Sequence, residues 1–211
     1  MLRASDGKRF LKRDCAHEHT PFDSVVHTLF GDQDSQPSRR LYARAPLADG
    51  LHDGVRLDGL EELVGGAPGA HAFRMSSCGV WLGSAGCVTP LHYDLCHGFL
   101  VGVRGTKRVT YFAPDDFALV YPRDEQPELA TVDLEAWREG LGTAAGRAEH
   151  AAHPAFAEAT AWHAELRPGD VLYTPPYWWH HVETTDDAPA LSVLVPFDPT
   201  ADEPMHACHF R

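Results

Sequence analysis

Apolar residues fall in short runs broken by glycine, proline and polar clusters, most densely from residue 72 onward. Residues 78–82 make an apolar run that ends at a turn over 83–86. Further short strands are predicted at 91–95, 99–103, 108–112, 162–166, 171–174, 178–184 and 191–196, each standing between turn residues. Ahead of them, 8–12 reads as an opening strand and 41–43 as the start of another. Helical spacing is rarer. Phe22, Val25, Val26, Leu29 and Phe30 share one side of a helix over 21–30, with Pro21 at its start. Asp133 is placed to cap a helix over 132–141. Helical turns are expected at 58–64, 115–120 and 156–160, a polar loop at 31–38, and a mobile Ala/Gly/His loop at 142–154.

Many short strands, with the helices mainly in the front half, predict an all-β domain with helical decoration, a jelly-roll barrel. No internal repeat or second domain interrupts the pattern, so 1–211 reads as one domain, long enough for one sizeable core. The chain is 44% hydrophobic and 23% charged, as a soluble globular protein is. A net charge of −12 argues against nucleic acid or an anionic membrane as a general partner and weakly favours a cationic substrate. Cys15, Cys78, Cys87, Cys96 and Cys208 are scattered, odd in number and free of any Cys-x-x-Cys spacing, so a reduced, cytoplasmic setting is expected. The first residues are basic with no apolar run, and no segment has membrane-spanning length, so neither signal peptide nor span is expected.

Two segments carry the chemistry. The first is Thr89-Pro90-Leu91-His92-Tyr93-Asp94, and the second contains Tyr177-Trp178-Trp179-His180-His181-Val182-Glu183. A His-x-Asp with a distant histidine is the donor set of a two-histidine, one-carboxylate metal site, which leaves positions open and suits non-haem Fe(II). On a strand, His92 and Asp94 point to the same face. Alternation puts Trp178, His180 and Val182 on one face and Trp179, His181 and Glu183 on the other. The second set is the more polar, so His180 is the inward choice. Both histidines serving only as hydrogen-bonded groups at the barrel rim is the alternative. Tyr177, Trp178 and Trp179 are expected to pack the barrel. Lys107 shares a face with Val109 and Tyr111, and a lysine on an apolar face calls for an anionic partner.

These residues resemble the JmjC-type, cupin-like 2-oxoglutarate oxygenases, most of all the branch containing the asparaginyl hydroxylase factor inhibiting HIF. The matching stretches are Arg40-Leu41-Tyr42, Val88 through Asp94, Gly105-Thr106-Lys107-Arg108, Leu119-Val120-Tyr121-Pro122 and Gly169 through Glu183. The resemblance runs from about residue 8 to 197 and implies a double-stranded β-helix. It implies His92, Asp94 and His180 as Fe(II) ligands, and Tyr42, Thr89 and Lys107 as contacts to the distal carboxylate of 2-oxoglutarate. Two positions depart from the family pattern. Gly98 and Leu194 stand where asparagine-type residues are expected, with His97 and Cys96 nearby as substitutes. The chain also begins later and ends sooner than the family pattern, so oligomeric state does not carry over.

The expectation is an Fe(II)- and 2-oxoglutarate-dependent oxygenase that hydroxylates a peptide or protein side chain, with residues 142–154 as a lid. Alternatives are hydroxylation of a small molecule, N-methyl-lysine demethylation, a hydrolase or isomerase using Zn or Mn, and a cupin-like binding module without turnover.

Overall fold

The computed structural model describes residues 2–3, 8–10, 15–31, 40–47, 78–185 and 188–198. The expected turn at 58–64, most of the loop at 31–38, and Cys208 lie outside these residues. Among the described residues, eleven strands form two antiparallel sheets. The larger runs β2 (Ala16–His17), β1 (Leu2–Arg3), β3 (Tyr42–Pro46), β4 (Gly79–Gly83), β11 (Ala190–Phe197), β6 (His97–Arg104), β9 (Val171–Thr174). The smaller runs β5 (Val88–His92), β10 (Trp179–Thr184), β7 (Lys107–Phe112), β8 (Trp162–Leu166). The long crossovers between sheets are those of a jelly roll.

Alternation sorts each strand into two faces. On the large sheet, Ala43, Val80, Leu82, Phe99, Val193, Val195 and Phe197 point outward. They pack with Val25 and Leu29 of helix α1 (Phe22–Phe30). On the small sheet, Leu91, Phe112 and Trp179 point outward, into a cluster with Val120, Val132, Leu134 and Phe156. Trp179 is fully buried there, and Tyr177 joins the same cluster, so both pack against the sheet's outer face rather than inside the barrel. Half-buried Trp178 precedes β10 and meets the Tyr111 ring edge-on. The inner faces are left to line a cavity.

Helix α2 (Leu134–Glu139) begins where expected. The Asp133 carboxylate accepts from the backbone N–H groups of Glu135 and Ala136, and it also pairs with Arg9 at 2.5 Å. Replacing Asp133 with Ala removes cap and ion pair together. A loss of about 1–2 kcal/mol is expected in a denaturant titration.

The segment 142–154 is not a loop. It holds helix α3 (Ala144–Ala152), capped by the Thr143 hydroxyl, which accepts from Gly146 N–H at 2.9 Å. Its alanines favour helix, and a serviceable cap outweighs one glycine. His150 stacks on Trp137 of α2 with ring centroids 3.6 Å apart. A helix capped and stacked in this way is not the mobile lid that the composition suggested.

Several strand boundaries also move. The strand predicted at 91–95 is β5, and it stops at His92. The strand predicted to start at Trp178 starts at Trp179. Of the expected opening strand at 8–12, residues 11 and 12 lie outside the described residues, and Arg9 makes an isolated bridge to Val88. Among the described residues, no helix is long and apolar enough to cross a membrane.

Candidate metal and cosubstrate site

His180 and His92 face each other across the β10–β5 ladder, with ring centroids 4.2 Å apart. Asp94 lies just past the end of β5, but the alternation continues: Leu91 and Tyr93 join the outer cluster, while His92 and Asp94 both line the cavity. The turn ahead of β10 ties down this segment, with Tyr177 N–H donating to the Asp94 carbonyl at 2.8 Å. Tyr177 holds a φ of 67°, a costly conformation for a residue with a side chain. One nitrogen or oxygen from each of His92, Asp94 and His180 lies within 4.8 Å of the others. Asp94 Oδ2 and His180 Nε2 are 3.7 Å apart.

The tautomers follow from the backbone. His92 Nδ1 lies 2.8 Å from the Pro90 carbonyl, and His180 Nδ1 lies 2.9 Å from the Trp178 carbonyl. A carbonyl only accepts, so each Nδ1 carries its hydrogen and each Nε2 keeps a lone pair for a cation. Burial, with the neighbouring His92, pushes His180 down to about 4, which keeps it neutral. Two imidazoles and one carboxylate, close together and aimed at one point, fit a divalent transition metal.

His181 goes the other way. It is buried on the outer face, where burial and the nearby Arg138 push it down to about 3. Neither of its ring nitrogens makes a hydrogen bond, and Glu183 lies 3.9 Å away.

Thr89 is three residues from His92, and strict alternation would put the two on opposite faces. The register resolves this. His180 opposes His92 while Val182 opposes Thr89, so β5 carries an extra residue, a bulge at Pro90-Leu91. Proline, with no N–H for the ladder, is suited to that place. Both Thr89 and His92 therefore line the cavity, along with Tyr42, Asp94, Lys107 and His180.

The cavity holds about 90 Å³, room for several waters or a small molecule. Pairing arranges its walls in layers. Tyr111 opposes His180 at one end, Val109 opposes Val182 in the middle, and Lys107 opposes Thr184 at the other end. Four residues of strand, roughly 13 Å, separate Lys107 from Tyr111. Lys107 is 3% exposed, and its Nζ donates to Ser192 Oγ at 2.7 Å. Burial lowers its pKa to about 8. The Tyr42 and Thr89 hydroxyls are 2.9 Å apart. Burial pushes Tyr42 well above the ordinary tyrosine range, so it stays a neutral hydroxyl.

Gly98 and Leu194 both line the cavity, and a Cβ on Gly98 would sit 3.2 Å from Leu194 Cδ1. Leu194 occupies the space a side chain at 98 would need. His97 does not substitute. It turns outward, stacked on Phe197 at 4.6 Å and 2.7 Å from the Tyr173 hydroxyl. Cys96 does reach the cavity, but burial raises its thiol to about 11. Trp81 and Ser192 complete the site from the large sheet. Sequence reading did not find them, although each sits one residue from an outward core position on its strand.

A family model described as a cupin-like domain matches residues 3–203. Jumonji C domain-containing protein 5 of Drosophila melanogaster is 37% identical over 113 residues, 54% of this chain and 25% of the relative. The tRNA wybutosine-synthesizing protein 5 of Gallus gallus is 31% identical over 122 residues, 58% of this chain and 32% of the relative. Lysine-specific demethylase JMJ30 of Arabidopsis thaliana is 27% identical over 183 residues, 84% of this chain and 38% of the relative. The chain thus spans well under half the length of these relatives. A solved structure of E. coli ycfD covers 95% of this chain and 41% of that one, at 17% identity and a TM-score of 0.49. Because the cupin-like model matches residues 3–203, the chain belongs to the cupin-like domain family, and Jumonji C proteins are among its relatives.

Proposed function

We propose that this domain is an Fe(II)- and 2-oxoglutarate-dependent oxygenase that hydroxylates a peptide or protein side chain. One observation carries the reading: three metal-type donors stand at one end of a small cavity, and a buried lysine stands at the other. A ligand that is a chelating 2-oxo acid at one end and an anion at the other answers both. Bound Fe(II) would supply activation of O2 at the expense of the oxo acid, which leaves as succinate and CO2.

The chain's own residues do the positioning. His92 and His180 present Nε2 because backbone carbonyls hold their Nδ1–H groups. Asp94 adds the single negative charge and, half exposed, marks the side from which substrate reaches the site. Lys107, with the Tyr42–Thr89 hydroxyl pair, is assigned the distal carboxylate. Val109, Val182, Leu100 and Leu194 give the middle of the cavity apolar walls that suit a methylene chain and strengthen the charge contacts at each end.

A peptide or protein substrate is supported by the names of relatives, among them lysine-specific demethylases. The net charge of −12 favours a basic or neutral peptide over a nucleic acid. The same relatives support a second reading, removal of a methyl group from N-methyl-lysine. The test is incubation of the Fe(II)-loaded protein with 2-oxoglutarate and peptide pools, with and without methyl-lysine. Succinate formation is expected, with peptide mass rising by one oxygen atom. Loss of a methyl group instead selects demethylation. Succinate released only with free metabolites overturns the peptide substrate, and no succinate under any of these conditions overturns the oxygenase.

A further inference from the structure

Tyr111 and Thr174 are cavity residues with no part in the assignments above. They come from different sheets, β7 and β9, yet their hydroxyl oxygens lie 2.6 Å apart. Both line the cavity that holds the three donors. Tyr111 is directly paired with His180 in the β10–β7 ladder, and the two rings are 6.1 Å apart. Thr174 is directly paired with Gly98 on the opposite sheet. The two hydroxyls therefore stand in the layer of the donor triad, beside the place where Gly98 offers no side chain.

The pair has a hydrogen to spare. Two hydroxyls carry two hydrogens, and their mutual contact uses one. The other is free for an acceptor in the cavity. Burial holds Tyr111 near 12, so it remains a neutral donor across the working range. The lysine layer lies two alternations away along β7, so a dicarboxylate anchored there meets Tyr111 only with its other end.

We infer that the Tyr111 hydroxyl, oriented by Thr174, donates to the carboxylate adjoining the keto group of the 2-oxo acid. This rests on the oxygenase reading above and assigns the end of the cosubstrate that Lys107 does not reach.

The two ends are separable by calorimetry on Mn(II)-loaded protein, titrated with 2-oxoglutarate and with 2-oxopentanoate, which lacks the distal carboxylate. Tyr111→Phe keeps the ring against Trp178 and removes only the hydroxyl. It is expected to weaken both ligands about tenfold. Lys107→Ala is expected to weaken 2-oxoglutarate and leave 2-oxopentanoate unchanged. Thr174→Ser retains the oxygen and should bind as wild type, whereas Thr174→Val should lose a few-fold on both ligands. Unchanged binding of both ligands by folded Tyr111→Phe overturns the inference and leaves the oxygenase reading standing. Failure of the unsubstituted protein to bind 2-oxoglutarate overturns that reading instead.

Discussion

Asp94→Ala is expected to lower the affinity for Fe(II) by more than about 100-fold and to remove oxygenase turnover. Substituting groups that merely orient a ligand already costs 10–100-fold, so loss of a donor itself costs more. His92→Ala and His180→Ala should behave alike, because each contributes one Nε2 to the same three-donor set. His181→Ala is the control that gives this prediction its edge. His181 is the neighbour of His180 in sequence, yet it sits on the outer face, with its side chain among Arg138 and Glu183. It should keep metal binding. Equilibrium titration with Fe(II) under anaerobic conditions reads all four. Loss of metal from His181→Ala with retention in His180→Ala would reverse the ligand assignment.

Lys107→Met is expected to make the metal-free protein more stable and the cosubstrate weaker. The lysine is buried, and desolvation lowers it from 10.5 to about 8. Between those values the unfolded chain binds a proton that the folded chain does not, so this group's contribution to stability rises with pH across that window. Below about 8 both states are protonated, and the full cost of burying the charge is borne. That cost is about 3 kcal/mol. Methionine fills a similar volume and needs no partner, although Ser192 loses its donor. A net gain of roughly 1–3 kcal/mol at pH 7 is expected by chemical denaturation. The same substitution deletes a charge-assisted contact, so 2-oxoglutarate should bind about tenfold to a hundredfold more weakly. A variant less stable than the parent, or one that binds 2-oxoglutarate equally well, would show that Lys107 is a structural group. A site that keeps a destabilising cation does so for a ligand.

Much of this was legible along the chain because strand alternation is a local property. The assignment of His180 inward and His181 outward followed from parity and polarity alone, as did the grouping of Lys107, Val109 and Tyr111. The Asp133 cap is legible for the same reason, since a cap acts within three residues. The mistaken loop at 142–154 shows the limit of composition. Alanine, glycine and histidine together suggested mobility, while one threonine cap and the Trp137–His150 stack made a helix.

What the tertiary structure decided depends on pairing between segments far apart in sequence. His-x-Asp spacing put two donors on one face, and they do share the cavity, but Asp94 lies past the strand's end and its backbone is tied to the turn before His180. Thr89 and His92 share the cavity only because β5 bulges at Pro90-Leu91, and a bulge is a relation between two strands that neither strand's sequence states. The Tyr111–Thr174 contact joins two sheets. The sequence by itself determined which residue types and which strand faces were available. The stacking of the two sheets, which fixes register and depth, decided which of those faces met around one cavity.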